Sequence, residues 1–427
     1  MLSVALMGVM PMMAQIEEDY GEVTVEAQMR DRAEMRQGYG TLRRHDDKPI
    51  GFVSERSRIG VHWERNDLEA KVAVQHVGVW GDEPLSGISQ NGSIMCSEAW
   101  AKYIFRDTGS SSTYIKLGRQ VLSYDDERLL GANDWSTTGS SHDALKLAYE
   151  SDNNKLHVVL ALNQNEERST NDYYDNTAGY KNMQMLWYHN ESSRNFEASL
   201  LLMNLGMESG NVSKHSTKYM QTVGAYVDYH PEGKSYSGTA SAYYQKGKSR
   251  YDRNISAFMA SINGRYAVSE NFHCGVGADY ISGTSPAESD FKTFNVLFGS
   301  HHSFYGAMDY FDNLKMPLAG LIDANADAEV KVGEKVTMDA KYHYFQLAKK
   351  FYYTGTATPP GKSLGHEVDL SGNWQVQRYL SIQVGYSVMF PLRTMGLLKA
   401  SGNTGAWQHW GWVTFNLNPT ILKKRLR

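Results

Sequence analysis

The chain has little of several things that would have fixed its class at once. It carries 2 cysteines, Cys96 and Cys274, in 427 residues. A disulfide-stapled secreted scaffold carries many more, so both read as small packed side chains. Proline is scarce at 10 residues. After residue 14 no apolar run approaches the roughly 18 residues of a membrane-spanning helix. The net charge of -4 lacks the excess of one sign that marks a nucleic-acid partner. No phosphate loop, dinucleotide fingerprint or basic helix is present, and no cofactor is implied. What is abundant is tyrosine (27), glycine (38) and tryptophan (9). Combined with a mean hydropathy of -0.49, that abundance suits a β protein whose strands are apolar on one side only.

Leu2 to Met13 is small and apolar, and Met12-Met13-Ala14 before Gln15 resembles a small-residue cleavage site. Residues 1–14 read as a secretory signal segment, too short to span a bilayer. No Lys or Arg precedes the apolar part, which points to a truncated start. A buried N-terminal element is disfavoured, because Pro11 and the acidic run Glu17-Glu18-Asp19 end the apolar stretch abruptly.

Period-2 alternation then recurs along the chain. Val23, Val25, Ala27 and Met29 oppose Thr24, Glu26, Gln28, Arg30, Arg32, Glu34 and Arg36; Asp31 marks the strand leaving its apolar band. Val336, Met338, Ala340, Tyr342 and Tyr344 oppose Thr337, Asp339, Lys341 and His343. Segments around Val368 to Val376 and Leu380 to Val388 repeat the pattern. A soluble sandwich alternates too, so the connections decide. One kind is tight, at Asn66, Gly109, Asp152-Asn154, Ser192-Ser193, Pro231-Gly233, Ser269-Glu270, Gly333-Glu334 and Arg378-Tyr379. The other is long and polar, over 38–51, 81–93, 123–140, 165–179, 206–217, 247–253, 284–319, 348–363 and 391–404.

The strict alternation of turns and long loops predicts an all-β fold, a transmembrane antiparallel β-barrel of 18 strands. Its short turns would face the periplasm and its long loops the exterior of a bacterial outer membrane. One domain over 15–417 would carry the barrel, ending in a strand from Ala406 to Leu417. The basic stretch 418–427 (Lys423-Lys424-Arg425 within it) would be a solvated periplasmic tail. Phe291 to Phe298 has strand character but would break the even count, so it is placed in the long 284–319 loop, which is a candidate to fold into the lumen.

In lipid every backbone polar group needs an internal partner, and a closed barrel supplies them. Tyr219, Tyr229, Trp407, Phe415 and Trp63 suit the aromatic girdles of such a wall. The other face carries Arg30, Arg32, Arg36, Arg56, Arg58, Lys116, Arg265 and Lys341 among Glu26, Glu34, Glu64, Asp339, Glu367 and Asp369. Charges are solvated in an aqueous lumen, whereas on the lipid side each would cost about 2–4 kcal/mol at mid-membrane. The alternation therefore implies a polar pore.

Between Leu117 and Leu147 two alternating runs flank a polar middle with Asp125, Asp126, Glu127, Arg128, Asn133, Asp134 and Trp135, the pattern of an ordered functional connection. GRQVLSYDDERLLGANDWSTTGSSHDALKL, with Phe294 to Leu314 and Leu364 to Phe390, resembles the alginate export family of outer-membrane β-barrels. The resemblance spans nearly the whole mature chain. It implies an eighteen-stranded monomer passing an anionic polysaccharide through an arginine-lined constriction. By that resemblance Arg119 and Arg128 are the foremost pore candidates, with Asp125, Asp126 and Asp143 as their ion-pair partners. The same residues could equally pin the loop to the wall, and the resemblance fixes neither the solute nor any periplasmic partner.

His62, His76, His142, His301 and His302 lack the spacing of a metal set, so no metal is expected. Ser141, His142 and Asp143 have the letters of a triad, but neighbours on a strand point to opposite faces and cannot converge. The expectation is a non-enzymatic channel for anionic or polar solutes, saccharides included, embedded in outer-membrane lipid. The alternative is a loop-plugged barrel serving as receptor or scaffold; a membrane-embedded lipid hydrolase finds no residue set to support it.

Overall fold

A computed structural model describes residues 19–82, 93–175, 179–312, 315–350, 361–399 and 402–426; the signal segment expected over 1–14 lies outside them. The backbone is almost entirely strand. In order these are β1 (Gly21–Gln37), β2 (Ile50–Arg65), β3 (Leu68–Val79), β4 (Ser93–Asp107), β5 (Ser111–Gln120), β6 (His142–Ser151), β7 (Asn154–Leu162), β8 (Asn182–Asn190) and β9 (Phe196–Asn211). There follow β10 (Lys214–Tyr229), β11 (Tyr236–Lys248), β12 (Asn254–Ser269), β13 (Phe272–Ile281), β14 (Leu321–Val332), β15 (Val336–Leu347), β16 (Ser363–Gln377), β17 (Leu380–Pro391), β18 (Gln408–Leu417) and β19 (Thr420–Leu426). From β1 to β18 each pairs antiparallel with its sequence neighbours, and β18 returns to β1 with Met29 opposite Leu417 and Gln37 opposite His409. The sheet is thereby closed, and its backbone groups are paired without a free edge in the wall.

β18 and β19 together form one stave, since both pair with β1 and only Asn418 and Pro419 separate them. The closed antiparallel barrel therefore has eighteen staves. Proline has no N–H to donate, so the ladder skips there and resumes at Thr420. The basic stretch expected as a free tail is thus partly a strand. Its cations are exposed as expected, and Lys423 pairs with Glu22 (2.7 Å) while Arg425 pairs with Asp19 (2.5 Å). β17 begins only at Leu380, level with Leu417, so β19 has no partner on that side and is an edge strand. Lysine and arginine on such an edge oppose pairing with another chain.

Side-chain alternation sorts the wall as the sequence requires. Met29, Ile59, Val72, Leu200, Ile262, Val276 and Leu370 point outward and are exposed, while Arg30, Arg32, Arg56, Gln75 and Glu367 point inward and are buried. Tyr219, Tyr229, Trp407 and Phe415 all lie exposed on the outer side. Most of the eight turns fall where glycine, asparagine or aspartate allow them, Arg378-Tyr379 being an exception; Gly109 (φ 79°) and Gly333 (φ 65°) take left-handed backbone there.

One long loop is absent. The stretch 206–217, read as a loop, is instead the tight hairpin of β9 and β10 closed by Val212 and Ser213. Its tip is set by Asn211, whose Oδ1 accepts from the N–H groups of Ser213 (3.0 Å) and Lys214 (3.1 Å). This hairpin rises past the apolar band, where both faces are polar and period-2 contrast disappears. Phe291 to Phe298 lies, as placed, within a long connection from 282 to 320 rather than in a strand.

Candidate functional site

Two connections turn into the barrel instead of away from it. The first, 121–141, leaves β5 and returns to β6. Asp125 (φ 54°), Glu127 (φ 64°) and Asn133 (φ 47°) bend it through left-handed backbone that Asp and Asn tolerate better than most residues. On one wall the Asp125 carboxylate accepts from Trp187 Nε1 (3.0 Å) on β8, Ser199 Oγ on β9 and Tyr243 OH (3.4 Å) on β11. On the opposite wall Arg30 donates to the carbonyls of Asp134 and Ser136, the latter at 2.9 Å. Arg32 donates to Trp135 O at 2.9 Å, Arg56 pairs with the Asp134 carboxylate at 2.8 Å, and Gln75 donates to Thr138 O at 2.8 Å. The loop is therefore tied to both sides of the lumen.

The second connection, 282–320, packs against the first. Phe298 N donates to Leu129 O (2.9 Å), Gly131 N to Phe298 O (3.1 Å) and Ser300 N to Glu127 O (2.9 Å). Gln245 of β11 exchanges two bonds with the backbone of Asn295, at 2.8 and 2.9 Å. Met308 N donates to Glu367 Oε1 of β16 at 2.8 Å. A Cβ on Gly306 would sit 2.7 Å from that oxygen, so glycine is what lets the backbone come close. Tyr305, Met308, Tyr310 and Phe311 are 0–1% exposed, and Phe311 packs on Phe345 at 4.8 Å between ring centres. The loop expected as a candidate to fold inward is a packed plug.

Charge and aromatic contacts lock the two loops together. Arg128 lies buried where the loops meet, pairing with Asp126 (2.7 Å) and with Asp279 of β13 (2.8 Å) under the ring of Phe304. Burial pushes the Asp126 carboxyl above its ordinary range, against the pull of Arg128. Trp135 stacks on His302 at 4.0 Å, and the Arg32 guanidinium lies 3.9 Å from the centre of the Trp135 ring. Burial would raise Asp309 as well, but His302 and Tyr39 hold it below the usual carboxylate range.

The expected pore residues therefore divide. Arg30, Arg32, Arg56 and Arg58 face inward, the first three engaged with the plug and Arg58 held by Gln75 Oε1 at 2.6 Å. Lys341 also faces inward, in register between Asp327 of β14 and Asp369 of β16. Arg128 is an internal clamp of the plug. Arg119 sits at the loop end of β5, past Gly118 (φ 122°), and lines a cavity with Thr138, Tyr180 and Phe298 rather than the open lumen wall. It pairs with Asp143, at 3.1 Å, in the lining of the same cavity. Asp126 is paired as expected, but Asp125 takes neutral donors and no arginine. Ser141 and Asp143 flank His142, which is buried inward against Tyr180, so the three do not converge.

A feature missed in the sequence lies nearer the turn end. Lys102 of β4 stands directly opposite Lys116 of β5, and Lys116 opposite Lys146 of β6. Lys71 of β3 lies close to the same row and pairs with Glu98 (2.7 Å), and Lys102 pairs with Glu69 (2.9 Å). Lys116 lies over Trp100 at 3.7 Å and Lys146 over Tyr114 at 5.3 Å, and neither has a carboxylate within 4.0 Å among the described residues. Across the lumen β14 to β16 carry the opposite sign, with Asp323, Asp327, Glu329, Asp339, Glu367 and Asp369 on inner positions. The β3–β6 wall thus carries four lysines among Glu69, Glu98 and Glu150, and the β14–β16 wall six carboxylates around Lys341, a net positive side facing a net negative one.

A family model described as alginate export matches residues 22–396. No curated protein matches the chain in sequence. Solved structures with a similar fold include OpdQ of Pseudomonas aeruginosa, at 12% identity and TM-score 0.60, covering 94% of this chain and 98% of that one. OccAB1 of Acinetobacter baumannii is similar at 11% identity and TM-score 0.62, over 94% and 97% of the two chains. OpdK of Pseudomonas aeruginosa, solved with vanillate, is similar at 9% identity and TM-score 0.61, over 94% and 99%.

Proposed function

The chain belongs to the alginate export family, an outer-membrane barrel of the porin type, and we propose that it passes small anionic or polar solutes, carboxylated saccharides among them. The observation that carries this reading is the row Lys102, Lys116 and Lys146. Like charges directly opposite one another on a sheet are destabilising. Such a row on a lumen wall costs stability that a purely structural wall would avoid. It lowers the electrostatic barrier for an anion sliding along it, and the rings of Trp100 and Tyr114 beside it suit the apolar face of a sugar or an aromatic acid. The guanidiniums of Arg30, Arg56 and Arg58 continue the basic wall toward the loops. Asp134 offsets one of the three charges, while the Ser136 carbonyl at Arg30 and the Gln75 amide at Arg58 are neutral acceptors, so a net positive charge remains beside the plug. The neighbour OpdK, solved with vanillate, a carboxylate, is consistent with that chemistry.

Proteoliposome swelling tests it. With the purified protein, a uronate should enter faster than a neutral sugar of equal size, and an amino sugar slowest. Equal rates for all three, or rates no greater than protein-free vesicles, would overturn it. A second reading, a plugged barrel acting as receptor or scaffold, is favoured by the commitment of Arg30, Arg32 and Arg56 to loop 121–141. Under that reading deletion within 284–319 opens a conductance that the intact protein lacks.

A further inference from the structure

At the turn-side mouth of the lumen, away from the lysine row, four side chains from adjacent staves converge. His189 ends the inward series Met183, Met185 and Trp187 of β8, and Glu197 lies inward at the start of β9. His189 Nε2 is 3.5 Å from Glu197 Oε2 and 3.8 Å from Glu191 Oε2. The second oxygen of Glu197 faces His230 Nε2 at 3.9 Å. The ligand atoms of His189, Glu191 and Glu197 all lie within 4.8 Å of one another.

These separations are too long for hydrogen bonds, which end near ~3.2 Å. They are close to what a shared cation would need. Four ligands at about 2.0–2.2 Å in a tetrahedron stand on the order of 3.3–3.6 Å apart. The surroundings fix the rest of each ligand. Lys155 holds Glu191 Oε1 at 2.8 Å, which leaves Oε2 turned to the group. The Asp228 carboxylate lies 3.4 Å from His230 Nδ1, beside the ring nitrogen that does not face Glu197. Trp187 stacks on His189 at 5.2 Å and 8°, so the imidazole of this buried residue is held by packing, and its Nδ1 has no hydrogen-bond partner among the described residues.

We propose that His189, Glu191 and Glu197 bind a divalent transition-metal ion at this mouth, with His230 beside the second oxygen of Glu197 as the nearest further ligand, Zn2+ by the chemistry of imidazole and carboxylate donors. Calcium and magnesium prefer all-oxygen shells, so they fit this set poorly. The ion would offset the carboxylate charge at this mouth of the lumen, where Lys155 already pairs with Glu191. The proposal is independent of which solute the channel carries.

The test is calorimetric titration of Zn2+ into the full-length protein in detergent, with Ca2+ and Mg2+ as competitors. One site should appear that a large excess of Ca2+ or Mg2+ does not displace. Glu197→Gln keeps shape and should weaken that site at least tenfold, and His230→Ala should weaken it several-fold. Heat-modifiable gel mobility confirms that each variant is a folded barrel; should Glu197→Gln not fold, Glu191→Gln serves in its place. Absence of the site in the wild type, equal affinity in the wild type and the carboxamide variant, or displacement by Ca2+ would each overturn the proposal.

Discussion

Lys116 faces Lys146 directly across the β5–β6 pair, on the inner wall and without a carboxylate within 4.0 Å of either among the described residues. Each instead lies over an aromatic ring of the neighbouring strand, Trp100 for Lys116 and Tyr114 for Lys146. Replacing both by glutamine should leave the barrel at least as stable, because a like-charge pair is removed. The same double variant should lose much of the preference for anions. Current reversal in a salt gradient measures the second effect and the midpoint of heat-induced gel shift the first.

Arg56 is wholly buried and holds the Asp134 carboxylate from the wall of β2. Arg56→Met keeps length but removes the fork, so loop 121–141 should lose about 2 kcal/mol of anchoring, the range for hydrogen bonds to charged groups. The expected result is noisier and larger single-channel current. Lysine at the same position should recover only part of the quiet state, since an ammonium cannot reproduce the planar fork.

Glu367 tests the second loop separately. Its Oε1 receives the N–H of Met308, a bond that a carboxamide oxygen can also accept. Glu367→Gln should therefore keep the plug seated, whereas Glu367→Ala should release it. Hydrogen exchange at Met308 reads this directly: about tenfold or more faster in the alanine variant, near wild type in the glutamine one. Equal exchange in all three would mean the loop is held elsewhere.

Lys399 gives a pH dependence. It lies in the connection after β17, donating to Tyr310 O at 2.6 Å. Burial, with Lys315 nearby, pulls its ammonium down to about 8. An unfolded lysine titrates near ~10.4, so between these values the unfolded chain binds more protons than the folded one. Stability therefore rises with pH through that window, and below it the full cost of the buried charge is present. The midpoint of heat-induced unfolding should climb between pH 8 and 10, and Lys399→Met should flatten that climb. An undiminished slope in the variant would contradict the assignment.

Much of the fold could be read from single residues. The eight tight turns announce themselves through Asn66, Gly109, Gly233, Gly333 and their neighbours, and alternation sorted Arg30, Arg32 and Arg56 inward because a barrel has one wet face. Alternation does not place Arg119, because Gly118 (φ 122°) interrupts the strand just before it, and only the folded chain brings it to a cavity with Thr138, Tyr180 and Phe298. What strand patterns cannot carry is register. Lys102, Lys116 and Lys146 form a row only because three strands pair with one particular offset, so Lys116 alone stood out in the sequence. The plug was legible as polar, ordered loops, but its ties run between residues about a hundred or more positions apart, such as Arg32 with Trp135 and Arg128 with Tyr305. The extra length of β9 and β10 and the pairing of β19 escaped notice because polar edges and cations on a strand look like a loop.

The most direct test of the account is the zero-current potential of the wild-type protein in a planar bilayer under a tenfold gradient of potassium chloride. A basic wall on the solute's path predicts a conducting protein whose potential has the sign of chloride preference, shifting toward zero in the Lys116→Gln, Lys146→Gln double variant. A silent protein, or one selective for potassium, would contradict it.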